Sequence, residues 1–296
     1  MADGNHMKSD TGYIFAGPKT IDATKPLKNG TVLEDSRFSG VIVSENPQSP
    51  WHQATCFAFG TTVKDTDGNL VQEAALYEMT DADGDVTWSI YWNPADGPGT
   101  FEFVQGMGKW ENITGHGKDL GVVNERADGH SMPRWELSWE VGKEEVERAT
   151  FDPEAYPESD TSLSFHGPHV TRTTKELSNG LTLIYSSQSG ILLSDNIDAV
   201  SPRNRATVFD RGTTIKTAGG KNLGDVMLLE DQDPDGDLAW LIHIWWYGKG
   251  PGWYKFLGGT GKWKGIAGGG QTLGMLAPRV DDHYMLKSQV HWRVDT

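Results

Sequence analysis

Cysteine and long apolar segments are nearly absent from this chain of 296 residues. Cys56 is the only cysteine, which excludes an internal disulfide and a zinc site built from cysteines. No apolar run approaches the roughly 18 residues of a transmembrane helix. Residues 1–18 have neither the basic segment nor the apolar segment of a secretory signal peptide. We therefore expect a soluble protein of the cytoplasm.

Positive charge is also scarce. The chain has 26 Lys and Arg against 41 Asp and Glu, which gives a formal net charge of −15 at pH 7. Phosphate backbones and anionic membrane surfaces repel such a protein. The composition therefore predicts that neither nucleic acid nor a membrane is a partner, and it leaves a homo-oligomer open.

Most of the chain consists of two copies of one unit. Gly106-Met-Gly-Lys-Trp110 recurs as Gly259-Thr-Gly-Lys-Trp263, and these stretches open sixteen-residue segments with nine identical positions. Further matches lie 150 to 153 positions apart, such as Asn29-Gly30 with Asn179-Gly180. This period is the size of a small domain. We predict an N-terminal arm over 1–28, a first β-barrel repeat over 29–141, a connector over 142–178 and a second β-barrel repeat over 179–296.

Each repeat has the pattern of an all-β domain. The chain contains 36 Gly and 12 Trp but only 36% hydrophobic residues, which suits short strands and tight turns. Residues 86–92 alternate, with Trp88, Ile90 and Trp92 on one side, and Asp-Gly pairs such as Asp83-Gly84 mark hairpins. Without long crossover helices a parallel sheet is not expected. Closing the sheet removes its edges, so we predict two tandem antiparallel β-barrels.

The glycine-rich segment carries a resemblance to a known family. Glycines at this density predict a bent or bulged strand at a barrel corner, and a phosphate-binding loop is disfavoured because no helix or Gly-Lys-Ser/Thr follows. The pattern that begins at Gly259 and ends at Gly270 resembles the allene oxide cyclase-like barrels and is similar to the glycine motifs of dirigent proteins. The resemblance implies lipocalin-like, eight-stranded antiparallel barrels that hold an apolar small molecule. It identifies no catalytic residue.

Three polar residue types alternate near the end of each repeat, in the order Arg, Asp, His. In an extended strand they would share one face, where Asp would orient His as a general base and Arg would hold a developing negative charge. Their presence in both copies equally supports a structural role, as a clamp that pins a hairpin. The candidates are Arg126, Asp128 and His130, and Arg279, Asp281 and His283.

Positions at which the copies differ, and one pair of carboxylates, supply further candidates for acid–base chemistry. Tyr91 is the counterpart of His243. Glu78 and Glu230 are equivalent and precede the Asp-rich turns. A carboxylate inside an apolar barrel would have a raised pKa and act as an acid or base, whereas one at a strand end would be solvated.

Aromatic residues are the candidates for substrate binding. They lie on the Trp-rich strands of both repeats and around the turn after the second one, where they would line the mouth of a cavity for a flat ligand. The same residues also suit core packing, and both interpretations stay open. The candidates are Trp88, Trp92, Trp240, Trp245, Trp246, Tyr247 and Trp253.

No cofactor motif or metal site emerges from the sequence. His166-Gly-Pro-His169 and the aspartates around Gly236 lack the spacing of zinc or calcium ligands. The leading hypothesis is a cofactor-independent lyase or isomerase, such as a cyclase, that acts on an apolar or aromatic small molecule. The alternatives are a binding protein for an apolar ligand or a carbohydrate, and a structural or interaction protein.

Overall fold

A computed structural model describes residues 7–94, 96–126, 128–142, 152, 154–280 and 283–295, with only the backbone for residues 277–280. The chain divides into two compact units, Met1–Val146 and Glu147–Thr296. Each unit is a closed antiparallel barrel of eight strands, so the predicted all-β fold with two tandem barrels is confirmed. We refer to the units as barrel one and barrel two.

Barrel one contains nine strands in the order β1-β9-β8-β7-β6-β5-β4-β3-β2, and pairing of β1 with β3 closes the ring. The long strand β3 pairs with β2 along its first half and with β1 along its second half, so β2 lies outside the ring. The strands are β1 Lys8–Ala16, β2 Thr20–Pro26, β3 Val32–Ser44, β4 Thr55–Lys64, β5 Leu70–Thr80, β6 Val86–Pro94, β7 Thr100–Gly106, β8 Ile113–Glu125 and β9 Ser131–Val141.

Barrel two repeats this topology. Its order is β10-β18-β17-β16-β15-β14-β13-β12-β11, and β10 closes the ring against β12. The strands are β10 Glu158–His166, β11 Val170–Glu176, β12 Thr182–Ser194, β13 Thr207–Lys216, β14 Asn222–Gln232, β15 Leu238–Trp246, β16 Trp253–Gly259, β17 Ile266–Val280 and β18 His283–Val294.

The structure differs from the predicted N-terminal arm and connector. Strands β1 and β2 lie within residues 1–28, and β10 and β11 lie within residues 142–178, yet β1 and β10 close the two rings. A matching signal is present in the sequence, because Ser9-Asp10-Thr11 recurs as Ser159-Asp160-Thr161. The two strands even share one pattern of alternating burial. Each repeat therefore begins about twenty residues before the predicted boundary.

The Gly-Xaa-Gly-Lys-Trp segment, which occurs twice in the chain, is a structural clamp in both barrels. It forms a short 3-10 turn, and the indole nitrogen of Trp263 donates to Asp233 Oδ2 at 2.8 Å. Lys262 Nζ lies 2.8 Å from the same oxygen, and Trp110 with Asp81 repeats the indole contact at 2.8 Å. These contacts tie the Asp-Gly-Asp turn to the barrel core, which explains why both copies keep the residues.

The glycines of this segment relieve crowding, as the sequence predicts. Gly115 and Gly268 have φ of 147° and 128° within strands, and a Cβ there would overlap a carbonyl oxygen of the adjacent strand. Gly108 and Gly261 have φ of 67° and 52°, a region that favours glycine. These two lie in the 3-10 turns and not in a bulged strand.

Candidate active site in barrel two

Aromatic side chains fill the lumen of barrel one. Trp51 stacks on Trp110 with ring centroids 4.3 Å apart. Tyr77, Tyr91 and Phe101 form a second group whose centroids lie 4.9 to 5.8 Å from one another. These residues belong to one buried hydrophobic cluster, and they give barrel one a packed, largely apolar interior.

Barrel two has polar residues at the equivalent positions of its strands. The strand register shows which positions are equivalent. Phe38 pairs with Ala58 across β3 and β4, and Gln188 pairs with Asp210 across β12 and β13, so Gln188 corresponds to Phe38 and Asp210 to Ala58. In the same way Ala75 and Tyr91 correspond to Met227 and His243, and Ala16 corresponds to His166. The two barrels therefore share one scaffold, but one has a largely apolar lumen and the other a polar lumen.

A cavity of about 270 Å³ opens in barrel two. Its interior is formed by buried polar side chains together with Met227 and Leu229, while partly exposed residues surround its mouth. This volume is comparable to the lower end of small-molecule pockets. The buried polar residues that line it are His166, Gln188, Asp210, His243 and Tyr254, and the residues at the mouth are His169, Asn222, Asp225, Trp245, Tyr247 and Met275.

A buried histidine–aspartate pair lies in the cavity wall. His166 Nδ1 is 3.1 Å from Asp210 Oδ2, and both side chains are about 95% buried. Gln188 Nε2 donates to the same carboxylate oxygen at 2.8 Å and also contacts the hydroxyl of Tyr284. Tyr284 stacks on the imidazole with ring centroids 4.8 Å apart. The ring of His166 is thus held from its edge and from its face.

Asp210 is an ionised carboxylate despite its burial. Burial alone would raise its pKa, but the electrostatic attraction of the neighbouring His166 and hydrogen bonds from His166 and Gln188 outweigh that effect and lower the pKa. An ionised Asp210 fixes the proton of the imidazole on Nδ1. Nε2 of His166 makes no hydrogen bond within the described part of the chain.

His243 and Tyr254 form a second polar group in the cavity wall. Their rings stack with centroids 4.4 Å apart. Thr272 Oγ1 lies 3.2 Å from His243 Nε2 and donates to the Tyr254 hydroxyl at 3.2 Å. Because the phenol oxygen accepts from Thr272, its own proton is free to be donated elsewhere. Burial raises the pKa of Tyr254, so the phenol stays protonated.

A fully buried ion pair, Arg203 with Asp231, packs against the Tyr254 ring of this group. Arg203 Nε lies 3.2 Å from Asp231 Oδ2, and Arg203 also donates to Ser288 at 2.8 Å. The guanidinium lies over the ring of Tyr254, 5.0 Å from its centroid. Burial raises the pKa of Asp231 to about 7, although the charge of Arg203 pulls it down. Trp51 and Met79 occupy the equivalent positions in barrel one.

The predicted Arg–Asp–His constellation comes together on an exposed turn, and none of its described residues lines the cavity of barrel two. Arg126 Nη2 lies 2.8 Å from Asp128, and His130 Nδ1 lies 3.0 Å from the same carboxylate. All three side chains are about half exposed or more, and the Arg126 amide donates to the carbonyl of His130 across the turn. This is the geometry of a hairpin clamp. In the second copy His283 is exposed at the start of β18, Asp281 lies outside the described residues, and so does the side chain of Arg279.

The other acid–base candidates are divided among three places. His243 lines the cavity of barrel two. Tyr91 lies in the packed lumen of barrel one, where its hydroxyl donates to Asp119 at 2.9 Å. Glu78 and Glu230 are buried, contrary to the expectation of solvation at a strand end, and lie on the strand faces opposite Tyr77 and Leu229. Neither glutamate lines the cavity.

The aromatic candidates separate in the same way. Trp245 and Tyr247 lie at the cavity mouth. Trp88 and Trp240 are fully buried, on the opposite strand faces from Tyr91 and His243, so they serve packing. Those that do not line the cavity and are only partly buried are Trp92, Trp246 and Trp253.

Sequence reasoning missed most of the polar lumen. The sequence pattern indicates His166 only as a possible metal ligand, and it gives no role to Gln188, Asp210 or Arg203. A signal was available, because these four replace Ala16, Phe38, Ala58 and Trp51 in the other copy. Exchanging apolar for polar residues at lumen positions of one copy alone indicates a site.

Comparison with known protein families finds no family model that matches the chain, and comparison with curated proteins finds no match either. Within the described residues, no helix is long and apolar enough to cross a membrane. Over the same ranges, no group of three or more His, Cys, Asp or Glu side chains is placed to hold a metal ion.

Acidification below pH 6.5 should destabilise the protein through His243. Burial lowers the pKa of His243 to about 3, from an ordinary value of 6.5. Between these values the unfolded chain binds a proton that the folded chain refuses, so folding should lose about 1.4 kcal/mol per pH unit as the pH falls. Replacing the residue with glutamine should remove this contribution, so that between pH 6.5 and 4 the pH slopes of the two proteins, measured by urea unfolding, differ by about 1.4 kcal/mol per pH unit. Asp231 titrates in both proteins, so its contribution to the pH slope cancels when the two slopes are subtracted. Equal pH slopes would show that His243 accepts a proton in the folded state.

Proposed function

We propose that barrel two is a cofactor-independent enzyme, a lyase or an isomerase such as a cyclase, that acts by acid–base chemistry on an apolar or aromatic small molecule. The observation that carries the proposal is the His166–Asp210 pair, with Nδ1 and Oδ2 3.1 Å apart in the wall of a cavity. Burying an ionised carboxylate and a histidine in a barrel lumen costs stability. Barrel one fills the equivalent positions with Ala16 and Ala58 at no such cost, which argues that the pair serves function.

His166 is the general base in this proposal. Asp210 accepts a hydrogen bond from Nδ1–H, holds the imidazole in one tautomer and stabilises the imidazolium that forms when Nε2 takes a proton from the substrate. Gln188 and Tyr284 fix the position of the carboxylate and the ring. Proton abstraction by a positioned imidazole is the first half of an isomerisation or an elimination.

Tyr254 is the general acid or hydrogen-bond donor on the other group. The chain from His243 to Thr272 to the Tyr254 hydroxyl leaves the phenol proton for the substrate. A neutral donor of raised pKa stabilises the negative charge that develops when a carbonyl substrate becomes an enolate. His243 stays neutral because burial lowers its pKa to about 3, so it acts as a hydrogen-bonding partner.

Barrel one is a scaffold in this proposal. Its lumen holds stacked aromatics where barrel two holds the acid–base groups. The resemblance of the sequence to allene oxide cyclase-like barrels supports an apolar small molecule as the ligand. A cytoplasmic location stays a prediction from the sequence.

A non-enzymatic small-molecule or carbohydrate-binding protein is the second candidate. The aromatic pair at the mouth favours it, because Trp245 and Tyr247 have ring centroids 5.2 Å apart and both line the opening. Aromatic faces with neighbouring polar groups bind sugars as well as flat rings. Turnover separates the two functions.

The test is a cofactor-free conversion assay. Purified protein is incubated with a library of small carbonyl and aromatic compounds, and products of unchanged mass or eliminated fragments are detected by mass spectrometry. Blocking the cavity with Met227→Trp should abolish conversion, whereas His130→Ala and His283→Ala, on exposed positions, should retain it. Conversion that survives the Met227→Trp substitution in a folded protein would place the reaction elsewhere.

A further inference from the structure

We propose that the ligand of barrel two is an uncharged or cationic flat molecule that presents O–H or N–H groups to Asp210 and Gln188, and that carboxylates and phosphates are rejected. The inference deepens the proposed function, since it concerns the same cavity. It rests on unused acceptor atoms, on the charges of the lining residues and on the aromatic mouth.

Two buried acceptor atoms in the cavity wall have no donor among the described residues. They are Asp210 Oδ1 and Gln188 Oε1. The exposed fraction of the whole residue is 3% for Asp210 and 6% for Gln188. The amide orientation of Gln188 is fixed, because its nitrogen faces the carboxylate of Asp210 at 2.8 Å and an oxygen there would be repelled. A buried acceptor without a donor costs free energy. A ligand that donates to both atoms would remove that cost.

The charges around the cavity also favour a neutral or cationic ligand. No lysine or arginine is among the described residues that line it, whereas Asp210 and Asp225 are. Arg203 lies deeper, and its charge is directed to Asp231 at 3.2 Å. An anionic ligand would therefore lose its hydration and meet carboxylates without a cation to replace the water. A cation or a neutral donor meets no such penalty.

The mouth suits a flat and electron-poor or cationic group. Trp245 and Tyr247 present aromatic faces at the opening. The hydroxyl of Tyr247 donates to Asp225, and Thr214 donates to the same carboxylate at 2.6 Å. Aromatic faces attract cations, and Asp225 adds a negative charge beside them. The path into the cavity thus has the same selectivity as its interior.

The test uses four small probes, each with one phenyl ring, which differ in charge and in the ability to donate a hydrogen bond. Benzylamine is a cationic donor, benzyl alcohol a neutral donor, benzyl methyl ether has no donor, and benzoate is an anion. Binding to the full chain is measured at pH 7 by ligand-observed NMR titration. We expect the amine and the alcohol to bind at least 10-fold more tightly than the ether and benzoate.

Variants assign the preference to the cavity. Asp210→Asn should remove the advantage of benzylamine over the ether, and Gln188→Leu tests the second acceptor if the first variant fails to fold. Asp119→Asn is the matched control, because it removes a carboxylate from barrel one and should leave all four affinities unchanged. Equal or tighter binding of the ether or benzoate, or no binding of any probe, overturns the proposal. The expected preference without any turnover would instead retain this inference and reject the enzymatic function.

Discussion

Replacing His166 with glutamine should lower turnover of the proposed reaction by about 10²- to 10⁴-fold, the usual contribution of a general base. Glutamine keeps a polar side chain next to Asp210 but cannot accept a proton. The defect should appear in kcat, since the aromatic mouth and Asp225 remain to bind the substrate. The measurement is steady-state kinetics on the first substrate found in the conversion assay.

The chain supplies a matched control for this substitution. His130 contacts Asp128 at 3.0 Å, almost the same distance as the 3.1 Å between His166 and Asp210, but its side chain is 51% exposed. His130→Gln should therefore leave the rate unchanged. Asp210→Asn should reduce kcat as His166→Gln does, because the imidazole loses its fixed tautomer. Full activity in a folded His166→Gln protein would exclude His166 as the base and move that role to the His243–Tyr254 group.

Replacing Arg203 with methionine should lower the free energy of unfolding by about 3 to 5 kcal/mol, because it leaves Asp231 buried without its counter-charge. Arg203 is 1% exposed and Asp231 is 0% exposed, so water cannot compensate. The loss should be largest above pH 7, where Asp231, whose pKa burial raises to about 7, is ionised. Chemical denaturation at pH 8 and pH 5.5 measures both effects.

The double variant Arg203→Met with Asp231→Met separates charge from packing. Barrel one has Trp51 and Met79 at these positions and folds with the same topology, so an apolar pair is compatible with the scaffold. The double variant should recover most of the stability that the single variant loses. A double variant as unstable as Arg203→Met would show that the arginine matters through its contacts with Ser288 and Tyr254.

The candidate site was predictable only in part, and for identifiable reasons. His243 and the mouth residues Trp245 and Tyr247 emerge from the sequence because the two copies differ there within an otherwise clear strand pattern. His166 and Asp210 lie on β10 and β13, 44 positions apart in the chain, and only ring closure places their side chains 3.1 Å apart. Local spacing instead favoured Arg126, Asp128 and His130, which do meet, but on an exposed turn.

The sequence alone predicted two similar units, the all-β class and the structural role of the glycines, because each depends on local properties: repeat spacing, alternation and backbone freedom. Strand alternation alone did not show where each barrel begins, since β1 and β10 gain their partners from β9, β18 and the long strands β3 and β12. It also left the face of each buried strand undecided, as Glu230 and Asp231 show by pointing to opposite sides of β14. Tertiary structure decided which side chains share a lumen, because in a closed barrel the neighbours of a residue are set by register between strands distant in sequence. The register brings positions at which the two copies differ, such as His166, Asp210 and His243, together in one polar cavity.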